Sequence, residues 1–323
     1  MQNLRYPKLF IRSKNELAKH ISHEGFSKED ALFLINDVLK NFDRYWKDSK
    51  HSDPIKAKYI RNAKGTNLGL LLQKINTMVL APHDKMLPKF IFGGIKDMDH
   101  VKAARHLLGS KRKRTLLKTD LKRFFEQVSH ERVFDFFRYK CGCDDRASKV
   151  LAYLCCVPLG QKHSSTKEKS IARGFATSPR LSVWCNLDIF IKLDRLIKGA
   201  LKGNDPKLAI YVDDIGITAS KVSREKMEGV LSEVEKLFLN SDKKQKLILN
   251  KEKNKTKITS HEDGIEYVGI NLLRNKLKVG RKAKSKRDKI KKELKKDMPK
   301  EERFSLRKKQ RAMNNYKRYV EST

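Results

Sequence analysis

The sequence predicts an α+β fold in which helices back an antiparallel sheet, and three observations predict it. Residues 208–220, LAIYVDDIGITAS, are two apolar, β-rich runs meeting at Asp213-Asp214, the pattern of a hairpin. Residues 115–121, TLLKTDL, form a third apolar run that carries a carboxylate, Asp120, near its end. Around these runs lie longer segments whose apolar residues recur at helical spacing.

Taken in order, residues 27–47 predict a helix, with Ser27 and Asp30 as a capping box and Leu32, Ile35, Leu39 and Phe42 on one face. Residues 67–80 predict a second helix. Between them, residues 55–65 suggest a strand and turn carrying Lys56, Lys58, Arg61 and Lys64. After the strand at Thr115 to Leu121, a helix is expected from Ser129 through Val133, Phe136 and Phe137, and another over 144–156. Residues 159–172 are a polar loop. Ser178 followed by Pro179 predicts an N-cap and first turn, opening one helix that runs to Leu201. An amphipathic helix is expected over 223–239, then short strands at 246–250 and 265–273. From Arg274 to Tyr319 there are 21 Lys or Arg against 5 Asp or Glu, in a helical pattern broken at Pro299.

Charge narrows the function. The chain has 323 residues with 74 Lys and Arg against 38 Asp and Glu, a formal net charge of +36. Self-repulsion of that size calls for a polyanionic partner, with nucleic acid first and an anionic membrane surface second. No apolar stretch reaches the ~20 residues that cross a bilayer. The basic N-terminus lacks an apolar core followed by a cleavage site, so no signal peptide is expected. The five cysteines, Cys141, Cys143, Cys155, Cys156 and Cys185, contain no CxxC pair and read as buried thiols in a reducing cytoplasm.

The acidic pair carries the chemistry. Two adjacent carboxylates in an apolar run are costly, because like charges repel where water is excluded. A hard cation removes that cost, and Mg²⁺ takes one or two carboxylates, its own waters and substrate phosphates. Asp120, near the end of a neighbouring strand, is a third ligand that would let two metals be held about 3.5–4 Å apart. On the dipeptide alone a solvated turn is the better explanation; with Asp120, the β-runs and the charge in view, the metal is.

These residues resemble the reverse transcriptases. YVDD (211–214) is similar to the YxDD box, motif C, and TDLKRFF (119–125) to motif A. ARGFATSPRLS (172–182) is similar to motif B, LNKEKNKT (249–256) to the lysine-bearing motif D, and EYVGINL (266–272) to motif E. The order and spacing match the family over roughly residues 55–275. FIFGGIKDMDHVKAARH (90–106) resembles a bacterial segment in which Lys102 replaces the usual asparagine.

The resemblance implies a right-hand polymerase. Residues 1–112 are expected to be N-terminal helices and fingers, 113–273 a palm with an interleaved fingers segment, and 274–323 a basic helical thumb. It implies that Asp120, Asp213 and Asp214 are catalytic and hold two Mg²⁺ ions, with the backbone carbonyl of Leu121 joining one. Phe125 is implied as the ring beneath the incoming sugar. Arg173, Gly174, Lys58, Arg61 and Lys253 are implied around the nucleotide, with Lys255 as an alternative to Lys253. Arg173 stands where the family usually has glutamine. Tyr211, Ser178, Pro179 and Gly269, with Lys282, Lys286, Arg307, Lys308 and Arg311 on the tail, are implied nucleic-acid contacts.

No nuclease domain is expected after the thumb, and the chain resembles stand-alone bacterial retron and defence-associated reverse transcriptases. That implies a cytoplasmic enzyme which copies a cognate structured noncoding RNA into DNA from deoxynucleoside triphosphates. It also implies an anti-phage role, with a separate effector protein and homo-oligomerisation left open and no membrane partner. Tyr267-Val268-Gly269 stands where retrons tend to have VTG. That keeps open a defence-associated enzyme outside the retrons, with another RNA template, a protein primer or template-independent synthesis. An RNA-dependent RNA polymerase and a non-catalytic RNA-binding scaffold are the remote alternatives.

Overall fold

The computed structural model describes residues 6–109, 113–164, 166–240, 246–252, 254–274 and 276–322. They divide into two compact units. The first comprises the chain up to Asp97, Leu121–Lys192 and Leu237–Ile248; the second comprises Met98–Asp120, Leu193–Lys236 and the chain from Leu249 onward.

The first unit is mainly helical. Lys28–Asn41 opens with the expected capping box, in which Ser27 and Asp30 each satisfy the other's backbone amide. It buries Leu34, Ile35 and Val38 but ends at Asn41, where a 3₁₀ turn over Phe42–Arg44 takes over. Asn67–Lys74 is helical and then widens into a π turn over Ile75–Leu80. Ser129 caps His130–Asp135, and Asp145–Cys155 follows. Two small ladders complete the unit, Lys47–Asp48 with Arg61–Asn62 and Cys156–Pro158 with Lys169–Ile171. Trp184, Phe136, Phe137, Phe124 and Phe190 are fully buried in its core.

One expected helix is two. Ser178–Cys185 and Leu187–Ala200 are separated at Asn186, whose buried side-chain amide donates to the Ser182 carbonyl at 2.7 Å. Such a back-bond competes with the helical ladder. Ser178 is also not the cap: it is already inside the first of these helices, and its hydroxyl donates to the Ala172 carbonyl at 2.7 Å.

The second unit holds the main sheet. Its four antiparallel strands lie in the order Lys207–Tyr211, Asp214–Ser220, Arg114–Asp120, Lys257–Thr259. The helix His100–Leu108, capped by Asp99, packs against the first two. Leu117, Ile210, Ile215 and Ile217 are fully buried. The segment 246–250 is not a strand; Lys257–Thr259 takes the edge position instead. A separate three-stranded meander runs Ile265–Tyr267, Ile270–Leu272, Leu277–Val279. Its first turn places Val268 and Gly269 at φ of 43° and 79°, the two positive values that a tight hairpin with the right twist requires. The tail forms the helices Arg281–Glu293 and Lys300–Glu321, and Pro299 precedes the second. Among the described residues, no helix is long and apolar enough to cross a membrane.

Candidate active site

The strand register builds the acidic site. Asp214–Ser220 pairs residue for residue with Arg114–Asp120, from Arg114 opposite Ser220 to Asp120 opposite Asp214. Directly opposed residues share one face of a sheet, and like charges placed so repel. Tyr211 is the partner of Asp214 on the other side, which leaves Val212 and Asp213 as a two-residue loop. Val212 has φ of 59°, a left-handed value that hairpin loops usually give to glycine or asparagine.

The far end of the strand pins this register. Buried Arg114 donates to Thr218 Oγ1 at 3.0 Å and Ser220 Oγ at 3.1 Å, and pairs with Asp205 at 2.7 Å. The middle is closed by Tyr267, whose hydroxyl donates to the Asp214 carbonyl at 2.9 Å. Gly216 makes room for that ring: a Cβ there would lie 2.8 Å from it and 2.5 Å from Leu107 Cδ1.

Asp120 is almost fully buried and uses its two oxygens differently. Oδ2 accepts from Lys255 Nζ at 2.9 Å, while Oδ1 is buried with no hydrogen-bond partner among the described residues. Burial, and then the charge of Asp213, push the Asp214 carboxyl up to about 6, with Asp120 adding and Lys118 and Lys255 opposing. The hydrogen bond to Asp120 raises the Lys255 ammonium, so Lys255 holds its proton. Its loop is tied to the strand: the Asn250 amide donates to the Asp120 carbonyl at 2.9 Å, and Thr119 and Thr256 share a hydroxyl bond of 2.7 Å.

Among the described residues, no three His, Cys, Asp or Glu side chains close into a metal-ligand group. The donor chemistry nonetheless fits a hard cation. Asp120 Oδ1 is a buried carboxylate oxygen without a donor among the described residues, and burial and the neighbouring Asp213 charge make Asp214 resist ionisation, a cost that a cation would remove. Leu121, buried, directly follows Asp120.

The nucleotide-side candidates lie in the first unit, and several are committed elsewhere. Arg61 is 4% exposed, ion-pairs with Asp48, and donates to the carbonyls of Pro158 and Gly160. It is therefore a buried structural arginine and not the free triphosphate-gripping cation expected. Lys58 is exposed, at the end of a tight turn closed on Asp53. Gly174 sits at φ of 102°, and a Cβ there would meet the Arg61 carbonyl oxygen at 2.4 Å. Its close approach is to the protein's own backbone, where the expectation was a nucleotide. Gly174 also lines a cleft of about 660 Å³, together with Lys64, Thr66, Asn67, Gln73 and Phe175.

Phe124 and Phe125 are both buried. Arg173 pairs with Glu126 at 3.3 Å and lays its guanidinium 4.9 Å from the Phe125 ring centre. Lys253 lies outside the described residues. Lys282, Lys286, Arg307, Lys308 and Arg311 are all exposed on the two tail helices.

Sequence reasoning missed a cluster beside Tyr211. The His100 ring lies 6.1 Å from Tyr211 edge-on and stacks at 5.7 Å on Tyr316, with which it shares a 2.8 Å hydrogen bond. Next to it, Tyr319 donates to Asp99 at 2.6 Å. The only signal in the sequence was aromatic residues interleaved in the basic tail.

A family model described as reverse transcriptase (RNA-dependent DNA polymerase) matches residues 65–272, well over half of the chain. No curated protein matches. The matched range contains all four strands of the acidic sheet, and the mixed helix-and-sheet architecture agrees with the palm-type polymerase fold that the family implies. The chain belongs to the reverse transcriptase family and is an RNA-directed DNA polymerase, a nucleotidyltransferase.

Proposed function

We propose that this polymerase copies a cognate structured noncoding RNA into DNA by two-metal nucleotidyl transfer, in retron-type anti-phage defence in a bacterial cytoplasm. The observation that carries the chemical part is the pairing of Asp120 with Asp214, next to Asp213 in the loop, around a buried carboxylate oxygen without a donor. Asp120 and Asp213 would hold the ions, with Asp214 assisting and the Leu121 carbonyl contributing to one of them. When bound, the two Mg²⁺ ions supply activation of the primer 3′-hydroxyl and neutralise the departing pyrophosphate. Lys255 keeps a proton beside Asp120 for the leaving group. Phe125 bars a 2′-hydroxyl and selects deoxynucleotides.

In this reading the fingers, palm and thumb fall at 1–112, 113–273 and 274–323. The exposed Lys282, Lys286, Arg307, Lys308 and Arg311 follow the phosphates of the hybrid duplex. Tyr211, Gly269 and the motif B residues Ser178 and Pro179 lie along the primer and template. A defence-associated enzyme outside the retrons is the second reading, supported by Tyr267-Val268-Gly269, whose tyrosine hydroxyl is used inside the protein on Asp214. A separate effector and self-association are open in both.

The test is to purify the protein with its nucleic acid, add Mg²⁺ and labelled deoxynucleotides, and run Asp213→Asn/Asp214→Asn beside it. Parent-only product that resists RNase but not DNase is expected, and its sequence names the template. Ribonucleotide incorporation instead would overturn the assignment of Phe125.

A further inference from the structure

The sharpest unassigned contact in the first unit joins three side chains, the Phe125 ring, the Glu126 carboxylate and the Arg173 guanidinium. Phe124–Gln127 is a 3₁₀ turn launched from Arg123 at φ of 52°. It presents Phe125 and Glu126 from neighbouring positions. The strand Lys169–Ile171 is tied to the end of this turn by the Ile171 amide, which donates to the Val128 carbonyl at 3.0 Å. Two residues further on, Arg173 folds back over the turn. Its Nε and Nη2 reach the two oxygens of Glu126 at 3.5 and 3.3 Å. The guanidinium carbon lies 4.9 Å from the Phe125 ring centre, within the range of a cation–π contact. Phe124 is a further neighbour of that ring, 6.1 Å away and tilted by 49°.

Backbone contacts hold the arginine in place. The Arg173 carbonyl accepts from the Arg61 amide at 2.7 Å, and Gly174 lets the two segments approach. The pair is shielded, with side chains 18% and 14% exposed, so its attraction is screened less than that of a surface pair. To swing out of its rotamer, Phe125 must leave both the guanidinium and Phe124.

We propose that Arg173, held by Glu126, is a positioning residue that clamps the Phe125 ring and so sets the discrimination between deoxy- and ribonucleotides. This rests on the assignment of Phe125 as the sugar gate. A steric gate excludes a hydroxyl only if it cannot yield, and the clamp removes the freedom to yield. Arginine suits the role because its planar fork pairs with a carboxylate and stacks on a ring at once. Glutamine or lysine does one or neither.

The test compares kcat/KM for deoxy- and ribonucleoside triphosphates on an oligo(dT)-primed poly(rA) template with Mg²⁺. Parent, Arg173→Gln, Glu126→Gln and Phe125→Ala are compared, each assayed well below its own thermal midpoint so that only folded enzyme is read. The deoxy-to-ribo ratio is expected to fall about three- to tenfold in Arg173→Gln and Glu126→Gln, as the loss of one such contact allows. It is expected to fall further in Phe125→Ala. If the ratio holds in the first two and falls only in Phe125→Ala, the clamp is wrong and the gate stands. If it holds in all three, the gate assignment falls and takes the clamp with it. If both substrates lose kcat/KM in proportion, Arg173 acts on the triphosphate they share, which also overturns the clamp. Should Arg173→Gln fail to fold, Glu126→Gln decides, because it removes the charge that holds the guanidinium over the ring while keeping the arginine in the chain.

Discussion

Lys255 and Asp120 form a hydrogen-bonded ion pair at 2.9 Å, and among the described residues the other oxygen of the same carboxylate meets no donor. Among the described residues the ammonium is the one cation bonded to this carboxylate. An ion entering the site competes with it for Asp120. Lys255→Met is therefore expected to lower the stability of the metal-free protein by about 1 kcal/mol, a modest figure because the lysine side chain is partly exposed. It should enlarge the rise in Tm on adding Mg²⁺. Thermal melts over a Mg²⁺ titration check this; an unchanged Mg²⁺ response would separate Lys255 from the metal site.

Asp214 makes the metal-free protein sensitive to pH. Its carboxyl is raised to about 6, so the unfolded chain ionises first as pH rises. Between about pH 4 and 6 the unfolded state therefore releases a proton that the folded state keeps, and stability falls. Above that window the full cost, on the order of 1–3 kcal/mol, is present. Asp214→Asn should match the parent near pH 4 and exceed its Tm at pH 8 without Mg²⁺. Equal midpoints at pH 8 would show that the opposed carboxylates carry no strain.

Gly216 tests how the hairpin is held. Alanine there would overlap Leu107 and the Tyr267 ring. Overpacking of this kind costs roughly 1–3 kcal/mol. Gly216→Ala is expected to lower Tm and to weaken polymerisation together, since Tyr267 also bonds the Asp214 carbonyl. A variant with full stability and full activity would refute the packing argument.

Two arginines should separate structure from nucleic-acid binding. Arg61→Ala removes the donor to Asp48 Oδ1 and to two carbonyls, while Asp48 Oδ2 keeps the Lys162 amide, and a loss of about 3 kcal/mol is expected. Arg311→Ala removes only an exposed charge. Its Tm should hold, while the slope of log K for RNA–DNA hybrid against log salt drops by roughly 1. Reversal of the two phenotypes in melts and salt titrations would mean that the burial of Arg61 has been misjudged.

The tail docks through Tyr319 as well as through apolar contact. Tyr319→Phe removes the 2.6 Å bond to Asp99 and is expected to cost about 1 kcal/mol. Asp99→Ala should cost more, because the same carboxylate caps the helix His100–Leu108 by accepting from the Lys102 amide. Equal losses in both would place all of the effect in the tail contact.

Much of this protein is legible in its sequence because much of it is local. The capping box at Ser27, the strand before Asp120, the YVDD hairpin and the break at Pro299 depend on residues a few positions apart, and short-range propensity decides them. The chain order of the acidic, glycine-bearing and lysine-bearing segments likewise points to a polymerase. Other features depended on partners far along the chain. The register that sets Asp120 against Asp214 spans nearly a hundred residues and is pinned by Arg114 at its other end. Arg61 and Arg173 look alike in the sequence as cations near a nucleotide; only packing commits one to Asp48 and the other to Glu126 and Phe125. Asn186 breaks a helix that periodicity would continue, because its buried amide bonds back to Ser182. The sequence by itself determined the family and the chain order of the acidic, glycine-bearing and lysine-bearing segments. The tertiary structure alone decided which charges meet, because burial and distance, not residue type, set whether a cation is free, paired or stacked.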